Sequence, residues 1–119
     1  MKIFLAQQNY HIGNFESNTQ KIICAVEEAK RQGGDIIVFS ELSVCGYPPR
    51  DFLEFDDFIA KCYAAINEIK EHADGIAVIV GAPDRNTIKE GKDLFNAAYF
   101  LNNKQIQHIA HKTLLPTYD

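Results

Sequence analysis

Two charged residues of this sequence stand where chemistry could use them. Glu41 follows, after Ser40, on Asp35-Ile36-Ile37-Val38-Phe39, an apolar run that reads as a buried strand. It therefore occupies a strand's C-terminal end, the edge along which ligand sites form in α/β folds. A carboxylate there is expected to be partly desolvated and suited to general-base work. On position alone, a solvated loop glutamate is the commoner reading. Lys112 closes a later apolar strand and precedes Leu114-Leu115-Pro116. A fixed ammonium can stabilise the oxyanion of acyl transfer. Taken alone, Lys112 reads more ordinarily as a surface lysine with its stem packed down.

The thiols and imidazoles are less promising. Cys24, Cys45 and Cys62 form an odd, widely spaced set without a CxxC pair, which supports neither a zinc site nor a dithiol redox motif. Cys24 and Cys62 are expected on the apolar faces of helices, as small core residues. Cys45 lies only four residues after Glu41, but in a loop with no helix starting just after it to activate the thiol, so it is not expected to be a nucleophile. His108 and His111 fall three apart on an expected strand, which sends them to opposite faces and argues against a shared metal. His11 and His72 are isolated and are expected to be solvated or capping.

The elements that must position these residues follow from periodicity. Ile3-Phe4-Leu5-Ala6 reads as a first buried strand. Asn14 is an N-cap candidate for a helix whose apolar face is Phe15, Thr19, Ile22, Val26 and Ala29, ended by Gly33-Gly34. After the strand at 35–39 and a loop from Ser40 to Phe55, Asp56 or Asp57 can cap a second helix. Its face is Ile59, Cys62, Ile66, Ile69 and Ala73, with a stop at Asp74-Gly75. A third strand is expected from Ile76 to Val80, closed by Gly81-Ala82-Pro83. Asn96–Leu101 and Gln105–His111 then read as a hairpin about Asn102-Asn103-Lys104. The order β-α-β-α-β-β-β argues for an α/β layer. Its strands carry more apolar surface than two helices can cover, so a second sheet, a partner chain or further residues must pack on the other side.

The 119 residues are 46% hydrophobic and 24% charged, an ordinary globular composition sufficient for one core. A net charge of −4 gives no electrostatic reason to bind nucleic acid or an anionic membrane. No apolar run approaches the roughly 18 residues of a membrane span. The N-terminus turns polar at Gln7-Gln8, too early for a signal peptide. A cytoplasmic protein with reduced thiols is the natural expectation.

Phe39-Ser40-Glu41-Leu42-Ser43-Val44-Cys45-Gly46-Tyr47-Pro48-Pro49-Arg50-Asp51 closely resembles the first active-site motif of the nitrilase, or carbon–nitrogen hydrolase, superfamily. Gly46-Tyr47-Pro48-Pro49 followed by Asp51 is similar to the glutaminase domain of the glutamine-dependent NAD⁺ synthetase family. His111-Lys112-Thr113-Leu114-Leu115-Pro116-Thr117-Tyr118-Asp119 resembles that family's catalytic-lysine segment, and Asn96-Ala97-Ala98-Tyr99 the strand before it. Gln7-Gln8-Asn9, Gly13-Asn14 and Asn18 fit its opening strand and helix, so the resemblance runs from Met1 to Asp119. Ser40 departs from the proline that many relatives carry before the glutamate, without removing the base.

The resemblance implies a nitrilase-like α-β-β-α sandwich of which residues 1–119 are the N-terminal part, incomplete at its C-terminal end. It implies that Glu41 is the general base and Lys112 the cation facing the tetrahedral intermediate. Tyr118, and less firmly Tyr47, would contact L-glutamine. The cysteine nucleophile would lie beyond Asp119, and no metal is implied in this part. In the complete protein, ammonia released from glutamine would amidate nicotinic acid adenine dinucleotide to NAD⁺, with ATP and Mg in a separate synthetase domain and a homo-oligomeric assembly. Two alternatives stand beside this reading: a solitary amidase or carbamoylase, and a catalytically silent fragment that acts only in assembly.

Overall fold

A computed structural model describes residues 1–11, 14–45, 56–85 and 94–111. Its elements are β1 (Ile3–Leu5), α1 (Phe15–Arg31), β2 (Ile36–Val38), α2 (Asp56–Lys70), β3 (Ala77–Arg85), β4 (Leu94–Asn102) and β5 (Gln105–His111). The order matches the one that periodicity predicts. The five strands form one sheet in the order β1-β2-β3-β4-β5. β1, β2 and β3 are parallel, and β3, β4 and β5 are antiparallel. Both crossovers step across the sheet in the same direction. Right-handed connections then put α1 and α2 on the same face, where they touch.

Local chemistry explains the boundaries. The Asn14 side chain accepts a hydrogen bond from the Ser17 N–H (3.1 Å) and caps α1. Gly33 follows the helix at φ +76°, a left-handed value that glycine adopts without a Cβ clash. The hairpin turns through Asn103 and Lys104, both at positive φ, as a two-residue turn of this hand requires. The Lys104 N–H donates to the Ala73 carbonyl (2.9 Å) and ties the hairpin tip to the chain beyond α2.

The core lies between sheet and helices. Ile22, Val26, Ile66 and Ile69 from the helices meet Ile37, Val78, Val80, Tyr99 and Leu101 from the sheet, all buried. The helical faces expected from sequence are therefore the faces that pack, apart from Phe15, which is half-buried. Cys62 is buried as expected, but Cys24 is exposed. At 100° per residue, position 24 lies about 200° from Ile22 and falls off the apolar stripe. α2 ends at Lys70, before the predicted stop, in tight turns from Glu71 to Ala73.

β3 runs past its predicted stop, through Gly81-Ala82-Pro83 to Arg85, paired with β4 along its length. β2 pairs with it only as far as Ile79, so beyond that point β3 has a free edge on the β2 side. The Gly81 N–H and carbonyl both engage groups on that side, and alternation turns Pro83 the same way. A proline costs no ladder bond where its missing N–H faces a free edge.

Candidate functional site

The segment after β2 takes over the free edge of β3. The Gly81 N–H donates to the buried Ser43 Oγ (3.2 Å), and the Val44 N–H donates to the Gly81 carbonyl (3.0 Å). The approach is so close that a Cβ on residue 81 would sit 2.9 Å from the Ser40 carbonyl oxygen and closer still to the Leu42 nitrogen. Glycine is required there for that reason. From the other side, the buried Asn18 of α1 donates to the Val44 carbonyl (3.2 Å) and the His11 carbonyl (2.8 Å), and its Oδ1 accepts from the His11 N–H (3.0 Å). Leu42 stands at φ +51° and packs with Cys45, Phe58, Ile59 and Cys62 in a small second core. A turn held at so many points has little freedom, and Glu41 projects from it.

Glu41 is exposed, contrary to the partial desolvation expected of a strand end. Asn96 of β4 donates from Nδ2 to Glu41 Oε1. The carboxylate thus has an orienting partner two strands away in the sheet. Beside the pair lies a concavity of about 380 Å³ on the face away from the helices. Its floor is made of the small residues Gly81, Ala98 and Ala110, which are register partners across three strands. Small side chains leave room there for a substrate or for another part of a protein.

One polar chain flanks this site on the helix side. Asp84 accepts from the Tyr63 hydroxyl at Oδ1 and from His111 Nε2 at Oδ2, both at 2.8 Å. The His111 ring stacks on Phe95, with centroids 4.1 Å apart and planes 8° from parallel. His108 pairs with Phe100 and His111 with Ala97, so the two histidines do fall on opposite faces. His72 is not isolated: its Nδ1 bonds Glu27 Oε2 (2.8 Å) and joins the end of α2 to α1.

None of the three cysteines is placed as a nucleophile. Cys45 and Cys62 are fully buried against each other. The hydrogen bond from Cys45, reinforced by burial, pushes the Cys62 thiol far up, away from the thiolate. Lys112, Tyr47 and Tyr118 lie outside the described residues. Asn96 and Asn18 carry out positioning that sequence reasoning did not assign to them. The signal for Asn96 was a lone amide in an otherwise apolar strand, where a polar group needs a partner. Among the described residues, no group of three or more His, Cys, Asp or Glu side chains could hold a metal ion. Among the same residues, no helix is long and apolar enough to cross a membrane.

Comparison with known proteins adds four findings. A family model described as carbon-nitrogen hydrolase matches residues 2–119. A glutamine-dependent NAD(+) synthetase from Synechocystis is 37% identical over 121 residues, which cover 98% of this chain and 22% of that protein. Among solved structures, a glutamine-dependent NAD(+) synthetase from Cytophaga hutchinsonii superposes with a TM-score of 0.86 at 26% identity, covering 95% of this chain and 19% of that one. An amidase from Nesterenkonia shares the fold with a TM-score of 0.79 at 20% identity, over 99% of this chain and 44% of that one. The chain spans about a fifth of the length of the synthetases it matches.

Proposed function

The chain belongs to the carbon–nitrogen hydrolase family, and on that premise we propose that it supplies the base and the cation of a glutamine-hydrolysing site. The observation that carries this reading is the Glu41–Asn96 pair beside a concavity floored by Gly81, Ala98 and Ala110. A carboxylate held by a locked turn and an amide donor is a fixed proton acceptor. In the proposed reaction Glu41 takes the proton of a cysteine thiol supplied from outside these 119 residues. The thiolate attacks the amide carbon of glutamine, and the developing oxyanion faces Lys112. Collapse breaks the C–N bond, and ammonia leaves with the proton that Glu41 returns. Water, deprotonated by the same carboxylate, then hydrolyses the thioester. Tyr118 and Tyr47 would contact the substrate.

In the complete protein, the ammonia would amidate nicotinic acid adenine dinucleotide in an ATP-dependent domain. The residues described here do not fit the phosphates or metal of such a site. The N-terminus of α1 is capped by Asn14 and carries Glu16 in its first turn, and α2 carries Asp57 in its first turn, where a carboxylate repels an anion. ATP and Mg therefore belong to other parts of the reading, and no step is routed through them. Residues 1–119 are in this view the first part of the glutaminase domain of a cytoplasmic homo-oligomer. The identity of 37% to a glutamine-dependent NAD(+) synthetase supports coupled synthesis.

The test is isotope transfer in the protein expressed from its complete coding sequence. With amide-¹⁵N glutamine, ATP and nicotinic acid adenine dinucleotide, the label is expected in the amide of NAD⁺. Labelled ammonia released at an unchanged rate without ATP or dinucleotide, and no labelled NAD⁺, would instead establish the solitary amidase.

A further inference from the structure

Asn96 orients Glu41, and the strand that carries Asn96 is itself held from its other side. Adjacent residues of a strand point to opposite faces, so with Asn96 toward the concavity its neighbours Phe95 and Ala97 face the helices. There Asp84 of β3 is the register partner of Phe95, and His111 of β5 that of Ala97. Asp84 Oδ2 accepts from His111 Nε2 (2.8 Å), a bond that ties β3 to β5 across β4. The imidazole lies flat on the Phe95 ring, so β4 is gripped between its two neighbours at this level. Tyr63 of α2 donates to Asp84 Oδ1 (2.8 Å), and its oxygen accepts from the Arg85 N–H (2.8 Å). The buried Tyr99 hydroxyl donates to the carbonyl of Pro83 (3.2 Å), which is the register partner of Asn96. The Asp84 side chain is 18% exposed and that of His111 39%, and a pair this open to water adds little to stability.

We propose that Asp84, with Tyr63 and His111, forms a clamp that positions Asn96 and, through it, Glu41. The Asn96 side chain is short, so its amide reaches Glu41 Oε1 only while the backbone of β4 keeps its place relative to the turn at 40–45. That turn is anchored on β3 through Gly81, and β4 is clamped to the same strand at Asp84. The carboxylate and its orienting amide are thereby both referred to β3. Asp84 is on this account a positioning residue that acts through Asn96. The inference rests on the reading of Glu41 as the base given above.

The experiment uses the protein expressed from its complete coding sequence, with Asp84→Ala, Asp84→Asn and Tyr63→Phe, each alone and combined with Asn96→Ala. Glutamine hydrolysis is measured per folded molecule, and crystal structures of the wild type and Asp84→Ala are compared. Asp84→Ala is expected to lower kcat roughly tenfold with little change in KM, because the base is misaimed while substrate binding is kept. Asp84→Asn keeps an acceptor for one of the two donors and should recover part of that loss. Tyr63→Phe should cost less, about twofold. In the Asn96→Ala background, removal of Asp84 should cost less than about twofold, since both effects run through one amide. In the Asp84→Ala crystal, the hydrogen bond from Asn96 to Glu41 should be broken. The proposal is overturned if Asp84→Ala keeps wild-type kcat. It is equally overturned if the loss recurs undiminished in the Asn96→Ala background, or if the bond from Asn96 to Glu41 survives in the Asp84→Ala crystal. Should Asp84→Ala fail to fold, Tyr63→Phe carries the same cycle and the same crystallographic comparison. Glu41→Gln tests the underlying reading separately. If that variant hydrolyses glutamine at the wild-type rate, Glu41 is not the base, and the crystal structures alone decide whether Asp84 positions Asn96.

Discussion

The two faces of the sheet differ in what they are made of and in what they do. Toward the helices, Ile37, Val78, Val80, Tyr99 and Leu101 are buried under Ile22, Val26, Ile66 and Ile69. On the other face, Ile3 is 56% and Leu5 74% exposed, Ala98 and Ala110 are exposed, and Ile36, Val38, Ile79 and Phe100 are half-buried. This is the surplus apolar surface expected from the strands, and an α-β-β-α sandwich lays a second sheet against it. The closed face is built mainly from large apolar side chains, and it decides whether the chain folds. The open face is built from Gly81, Ala98 and Ala110 beside Glu41 and Asn96, and it decides what the chain can do. Among the described residues, the turn at 40–45 belongs to both: Leu42 and Cys45 anchor it below, while Glu41 stands above.

The sharpest way to separate the two faces is Glu41→Gln. Loss of the base should cost the complete protein about a thousandfold in glutamine hydrolysis, or ~4 kcal/mol of transition-state stabilisation. Glu41 is exposed, so unfolding by urea should shift by less than ~0.5 kcal/mol. A large stability loss would mean that the carboxylate also serves the fold. The converse variant is Ile66→Ala, beneath the closed face and 1% exposed. It should cost about 3 kcal/mol of stability through lost burial and the cavity left behind. Turnover by the molecules that remain folded should be unchanged.

Gly81→Ala tests the turn that joins the faces. A methyl there meets the backbone of Ser40, Glu41 and Leu42, which has no flexible end to give way. The expected loss is about 2 kcal/mol of stability, together with a fall in kcat because Glu41 moves with the turn. If stability falls and kcat per folded molecule holds, the turn is an anchor and not an aiming device.

The closed face was the legible one. Spacings of three and four name Ile22, Val26, Ile66 and Ile69 directly, since burial on a helix repeats with its turn. Glu41 was legible because a carboxylate after a buried run marks a strand end. The rest depends on contacts that local patterns do not encode. Gly81 and Pro83 look like a stop to any local reading, yet they sit inside β3 because the turn at 40–45 caps the edge that β2 leaves free. Asn96 lies 55 positions from Glu41, and no spacing rule links them. Cys24 reads as core by residue type alone, yet it is exposed because its angular position on α1 lies opposite the apolar stripe.

The weakest effect probes how little the polar seam between the helices adds to the closed face. His72 donates to Glu27, and this bond, with a second from Lys30, holds the Glu27 carboxyl below its ordinary value of 4.5. A depressed carboxyl pKa adds stability that is present above the unfolded value and is lost as the pH falls through the folded one. The side chains are 38% and 35% exposed, so after screening the pair should be worth less than ~0.5 kcal/mol. Glu27→Gln should therefore weaken protection of the α1 amides in hydrogen exchange by that small amount at neutral pH. The difference should start to shrink as the solution is taken below pH 4.5 and vanish once the pH has fallen through the lowered value, where the folded carboxylate is itself protonated. Added salt should shrink it as well. A deficit of several kcal/mol that survived acid would place the grip between α1 and α2 in this exposed seam. A deficit that is small and vanishes on acidification leaves it with Ile22, Val26, Ile66 and Ile69, where the burial puts it.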